Sequence, residues 1–136
     1  MKGKIRALVA DDYASLRDLL KCVLEHQDVE VCTAIHGADA LAQAKAGSFD
    51  MIFMDMDMPI MDGLTAVRLI REHEAAVHAL PAIIVMVSAH GEPEVIDAAR
   101  QAGVDRHVLK PFSIDEFLLE RLGVELRRPA VAERAG

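Results

Sequence analysis

The chain has 136 residues and a net charge of −7, with 52% hydrophobic and 27% charged residues. That is length enough for one domain with its own core, and too apolar a composition for a disordered chain. The acidic balance argues against nucleic acid as a direct ligand, because a phosphate backbone demands a basic face, and the basic pair Arg127 and Arg128 is too small to supply one.

No apolar run approaches the roughly 20 residues of a membrane span. Met1-Lys2-Gly3-Lys4 runs straight into a strand pattern without the apolar stretch and cleavage site of a secretory signal, so a cytoplasmic, membrane-free protein is expected. Ile5 to Ala10 is the first apolar run. Ser15 to Gln27 follows with Leu16, Leu19, Leu20, Val23 and Leu24 at helical spacing. Val29 to Ile35 alternates as a strand at a sheet rim would, and Ala38 to Ala46 is an Ala-rich helix stopped by Gly47. Met51 to Met54 is uniformly apolar, as expected of a strand covered on both faces. Leu64 to Glu74 reads as helix, Ile83 to Val87 as a second fully apolar strand, and Glu94 to Ala102 as a helix stopped by Gly103. Arg106 to Leu109 is a short last strand. Ser113 to Arg127 is the last predicted helix, opened by a capping box of Ser113 and Glu116, with Ile114, Phe117, Leu118 and Leu122 on one face. From Pro129 onward no periodic face remains, so the folded unit is expected over 1–128, with 129–136 a tail or the start of a linker.

Strand and helix therefore alternate five times. Such alternation implies an α/β fold with a parallel sheet, right-handed crossovers and helices on both faces. The doubly wound, flavodoxin-like order for five strands is 2-1-3-4-5, and ligands bind outside the carboxyl ends of the strands at its switch point. At those ends stand Asp11 and Asp12, Asp55, Ser88 and Lys110. Each has an ordinary reading alone: Asp11 and Asp12 as helix-opening acids, Asp55 as a loop acid before Pro59 and Gly63, Ser88 as a polar strand end. Lys110 precedes Pro111, where a cis bond is accessible.

Together they suit phosphoryl transfer. Three neighbouring carboxylates repel one another, and a divalent cation bound by oxygen, Mg²⁺ or else Mn²⁺, relieves this. Asp55 could attack phosphorus as a carboxylate nucleophile, with Lys110 and the cation as counter-charge and the Ser88 hydroxyl as one hydrogen bond. Cys22 and Cys32 stand in no metal-ligand spacing with a His and are expected to be small buried hydrophobes; His26, His36, His73 and His78 are expected on the solvated surface.

The segments LVADD at 8–12, DMIFMDMDMPIMDG at 50–63, VSAHG at 87–91 and AGVDRHVLKPFSIDEF at 102–117 resemble the receiver domain of response regulators in two-component signalling, particularly the single-domain, chemotaxis-regulator-like kind, over about residues 4–126. The resemblance implies that Asp55 is the phosphoacceptor, that Asp11, Asp12 and Asp55 hold Mg²⁺ with Asp12 favoured over Asp11 as direct ligand, and that the backbone carbonyl of Asp57 adds another. It implies that Ser88 reads the phosphoryl oxygen and Lys110 pairs with it, and that the donor is a phosphohistidine on a kinase or phosphotransfer protein. Such a domain catalyses only its own phosphorylation and dephosphorylation and has no substrate turnover. Ser88 stands where Thr is commoner, and His107 where an aromatic ring often rotates between exposed and buried positions. Asp57 and His90 occupy the positions associated with dephosphorylation rate. The face of the fourth helix, fifth strand and fifth helix (94–102, 106–109 and 113–127) is then the output surface for dimerisation or a partner protein.

One alternative is a haloacid-dehalogenase-type phosphatase, because Asp55-Met56-Asp57-Met58 mimics that family's DxDx motif. There, however, the motif follows the first strand and a cap encloses the substrate. Here an acidic pair precedes it, and no residues are left over for a cap.

Overall fold

The computed structural model describes residues 3–123. Five parallel strands, β1 (Ile5–Ala10), β2 (Val29–Ala34), β3 (Met51–Asp55), β4 (Ile83–Ser88) and β5 (Arg106–Leu109), form one sheet in the order β2-β1-β3-β4-β5. Between them run α1 (Ala14–Glu25), α2 (Gly37–Ala46), α3 (Gly63–Val77) and α4 (Pro93–Ala102), and a short α5 (Leu119–Leu122) closes the described chain. The architecture is the flavodoxin-like one expected, with β2 at the rim.

The period-two alternation of each strand divides the core. Leu8, Ile52, Met54, Ile84 and Met86 face one layer with Val67 and Ile70 of α3 and Ala99 of α4. Ala7, Val9, Met51, Phe53, Val85 and Val108 face the other, with Leu20 and Leu24 of α1 and with Phe117 and Leu122. Strands β3 and β4 are buried at every position, which is why their sequences are continuously apolar.

The end of the chain departs from expectation. The capping box is present: Ser113 N–H donates to Glu116 Oε2 at 2.9 Å, and the Ser113 hydroxyl accepts from Asp115 N–H. It opens only a 3-10 turn over Ile114–Phe117, after which Leu118 is extended (φ −72°, ψ 134°). The reason lies 90 residues away. Gln27, just past α1, donates to the Phe117 carbonyl at 3.1 Å and accepts from Leu119 N–H at 2.9 Å. These are backbone groups that a continuous helix would have used itself. The predicted helix over 113–127 is thus a 3-10 turn and a separate α5 ending at Gly123 in the left-handed region (φ 72°); its remainder, Arg127 and Arg128, and the tail at 129–136 lie outside the described residues.

Two smaller expectations also change. Cys22 is exposed on α1, its sulfur 3.8 Å from His26 Nδ1, because it falls on the helix face opposite Leu20 and Leu24; Cys32 is half-buried on the edge strand. His36 caps α2, its Nδ1 accepting from Asp39 N–H at 3.0 Å, and His73 is half-buried in a groove between α2 and α3. His26 and His78 are exposed as expected.

Candidate phosphoryl-transfer site

Register brings the acids together. Ala10 of β1 pairs with Met54 of β3, so the next residue of each strand, Asp11 and Asp55, stand side by side where the sheet ends. Asp12 completes the group: one carboxylate oxygen from each of Asp11, Asp12 and Asp55 lies within 4.8 Å of the others. Asp11 and Asp55 are buried and Asp12 is exposed, so the cluster is an inner pair with an outer lip.

Ser88 and Lys110 arrive by the same logic. Asp55 pairs with Val87 of β4, which puts Ser88 one step beyond it, and Lys110 N–H donates to the Ser88 carbonyl at 2.8 Å. The Lys110–Pro111 bond is cis, and the Lys110 ammonium lies 3.4 Å from Asp55 Oδ1. All five residues expected at the strand ends converge there.

The electrostatics follow from crowding. Burial pushes the Asp55 carboxyl up to about 6, the Asp11 charge adds to the rise, and Lys110 opposes it. Asp11 is also raised, chiefly by burial, against the hydrogen bond that its Oδ1 accepts from Tyr13 N–H at 2.8 Å. One ammonium is too little counter-charge for three acids. The donor set is all carboxylate oxygen with an open side, which fits a hard divalent cation such as Mg²⁺. Among the described residues this is the only such cluster of three or more acidic, His or Cys side chains.

Ser88 is fully buried, and its hydroxyl is engaged away from Asp55. It accepts from His90 N–H at 2.8 Å and donates to the Met56 sulfur at 3.6 Å. Asp57 sends its carboxylate outward to His90 Nε2 at 3.1 Å, so that carboxylate is outside the acidic cluster. The Asp57–His90 contact bridges the loop after β3 and the loop after β4 at the mouth of the site. His107 lies on β5 opposite Met86, with both ring nitrogens shut off from solvent.

Three further residues contribute to the site in roles their sequence positions did not announce. Arg17 on α1 donates to the Asp11 carbonyl at 2.8 Å and favours the Asp11 charge; it is the only arginine of that helix and lies near the acidic pair in sequence, a signal that was available. Met56 gave none, since its role depends on where Ser88 lands. Gly63 gave a weak one: a side chain there would strike the Asp55 carbonyl, so only glycine lets α3 begin so close to β3.

A family model described as the response regulator receiver domain matches residues 7–121. The chain is 38% identical over 114 residues to the chemotaxis protein CheY of Bacillus subtilis, covering 83% of this chain and 91% of that protein. It is 36% identical over 126 residues to the transcriptional regulatory protein ResD of the same organism, covering 93% of this chain but spanning only half the length of ResD. Among solved structures, the chemotaxis protein CheY4 of Vibrio cholerae superposes with a TM-score of 0.78 at 30% identity, covering 89% of this chain and 98% of that one.

Proposed function

Because the chain belongs to the response regulator receiver domain family of two-component signalling, we propose that Asp55 accepts a phosphoryl group from a phosphohistidine on a partner histidine kinase or phosphotransfer protein. The observation that carries the reading is the Asp55 carboxylate itself, buried to 5% exposure, with two further acids within 4.8 Å and an ammonium at 3.4 Å.

An Asp55 oxygen attacks phosphorus, the bond from phosphorus to the donor imidazole nitrogen breaks, and the imidazole leaves with that electron pair. Lys110 meets the negative charge spread over the phosphoryl oxygens. Asp12, Asp11, Asp55 and the Asp57 carbonyl would hold Mg²⁺ (or Mn²⁺), which supplies charge neutralisation when bound. Hydrolysis of the acyl phosphate returns the aspartate, and Asp57 and His90, bridged at 3.1 Å, would orient or obstruct the attacking water. Asp57 and His90 therefore tune the lifetime of the phosphorylated form. The phosphatase alternative gains nothing from Asp57, whose carboxylate faces His90.

Phosphorylation adds about −1.5 to −2 charges at an already acidic site. A ligand shifts an equilibrium only through different contacts with its two states. Ser88 supplies such a difference: its O–H leaves the Met56 sulfur for a phosphoryl oxygen and draws residues 89–93 with it. The change reaches His107 and the surface of α4, β5 and α5, where a downstream protein or a second copy binds. The protein then works as a stand-alone regulator, as a phosphorelay intermediate, or as the receiver part of a longer regulator.

Intact mass after incubation with a small acyl-phosphate donor and Mg²⁺, beside an EDTA control and Asp55→Ala, tests the reading. One phosphoryl adduct, dependent on the metal and lost in Asp55→Ala, is expected. A folded protein that takes up no phosphoryl group from either a small donor or a phosphohistidine protein overturns it.

A further inference from the structure

His107 is the one described residue whose buried side-chain polar atoms both lack a hydrogen-bond partner. Buried polar groups are nearly always paired, so two orphaned nitrogens on one ring mark a place where the fold tolerates a group in only one protonation state. A neutral imidazole always carries one N–H and one lone pair, and here neither is used. An imidazolium would bring a full charge and a second N–H into the same covered space, at far greater cost.

No neighbouring side chain is free to compensate. From α4 comes Arg100, a like charge paired with Asp97 at 2.8 Å. Beside the strand stand Arg106, a second like charge, and Asp105, whose carboxylate already accepts from Arg71 at 2.8 Å and from Ile84 N–H at 2.9 Å. β4 presents apolar Met86 at the paired position. From the loop after β4 only the His90 backbone favours the charged form, without forming a hydrogen bond, and the His90 ring is turned to Asp57. Beside His107 a cavity of about 110 Å³ opens between α4 and β5, lined by Ile96, Ala99, Arg100 and Val104. Its size is several times that of a water molecule, enough for ring movement.

We propose that His107 is an acid-sensitive latch: the neutral ring stays covered beneath the loop after β4, and protonation drives it outward and rearranges the α4–β5 face. That this face is the output surface rests on the functional reading above. The movement of the ring does not, because it requires no phosphoryl group. Burial already opposes protonation in the direction this demands. The consequence is a second input, in which mild acidity alters the same surface through His107 rather than through a phosphoryl group.

The test is NMR of the full chain, unphosphorylated and metal-free, titrated from about pH 8 to 5 across the ordinary histidine range. The His107 ring signal is expected to titrate with a midpoint below about 6.5. Amides of residues 96–100 should follow it with the same midpoint, read in an Asp55→Asn background so that the Asp55 carboxyl, at about 6, does not titrate in the same range. Those amide shifts should vanish in His107→Phe and persist in His90→Gln; if His107→Phe does not fold, His107→Leu takes its place. A His107 midpoint at or above about 6.5, or amide shifts that survive loss of the imidazole, overturns the proposal. Normal phosphorylation with a flat titration would reject the latch alone, whereas a working latch without phosphorylation would reject only the phosphoacceptor reading.

Discussion

Removing the charge of Asp55 should stabilise the metal-free fold. Its carboxyl binds a proton more tightly folded, at about 6, than at the ordinary value of 3.8. The sign follows from linkage: between those values the native state holds more protons than the unfolded chain, so stability falls as pH rises through the window. Above it the ionised group costs the fold at most about 3 kcal/mol, and below 3.8 the cost disappears. Asp55→Asn removes that cost but also the contact with Lys110 and the hydrogen bond from Asp57 N–H. A net gain of about 1–2 kcal/mol is therefore expected at pH 7.5. Near pH 4.5 the electrostatic part shrinks to about 1 kcal/mol and the lost contacts cancel most of it. Urea unfolding of both proteins with EDTA, at both pH values and with unchanged m, measures the difference. A variant equally or less stable at pH 7.5, or a gain that does not change with pH, would refute the argument that the site stores uncompensated charge. Adding Mg²⁺ at pH 7.5 should then stabilise the wild type more than Asp55→Asn, because bound cation favours the native state.

Asp57→Asn should change the acyl-phosphate lifetime more than the rate of phosphorylation, read by following loss and uptake of the phosphoryl adduct separately; equal changes in both would sink the idea. Gln27→Ala strands the Phe117 carbonyl and Leu119 N–H and should cost about 2–3 kcal/mol in urea unfolding, with faster amide exchange in residues 114–122. A loss under about 0.5 kcal/mol would mean that Gln27 does not hold the break at Leu118. Gly63→Ala drives its methyl group into the Asp55 carbonyl and should cost about 2–3 kcal/mol while slowing phosphorylation, whereas Gly3→Ala, whose added methyl has open space around it, should leave both unchanged.

The local periods of the chain carried most of its architecture. Apolar runs at Met51 and Ile83, helical spacing from Leu16 to Leu24, and the Ser113–Glu116 box are set by interactions within a few residues, and each appears where it was expected. The acids, hydroxyl and lysine were legible as a site because a parallel sheet returns every strand end to one edge. Contacts between residues far apart in sequence were not legible. Gln27 breaks the last helix from 90 residues away, the Asp57 carboxylate turns to His90 rather than to Asp55, and Ser88 rests against Met56. His107 has its nitrogens covered although nothing in its neighbouring sequence requires it. A side chain's partners are decided by which groups packing brings within hydrogen-bond reach. That choice is made by tertiary structure, after periodicity has already placed the elements.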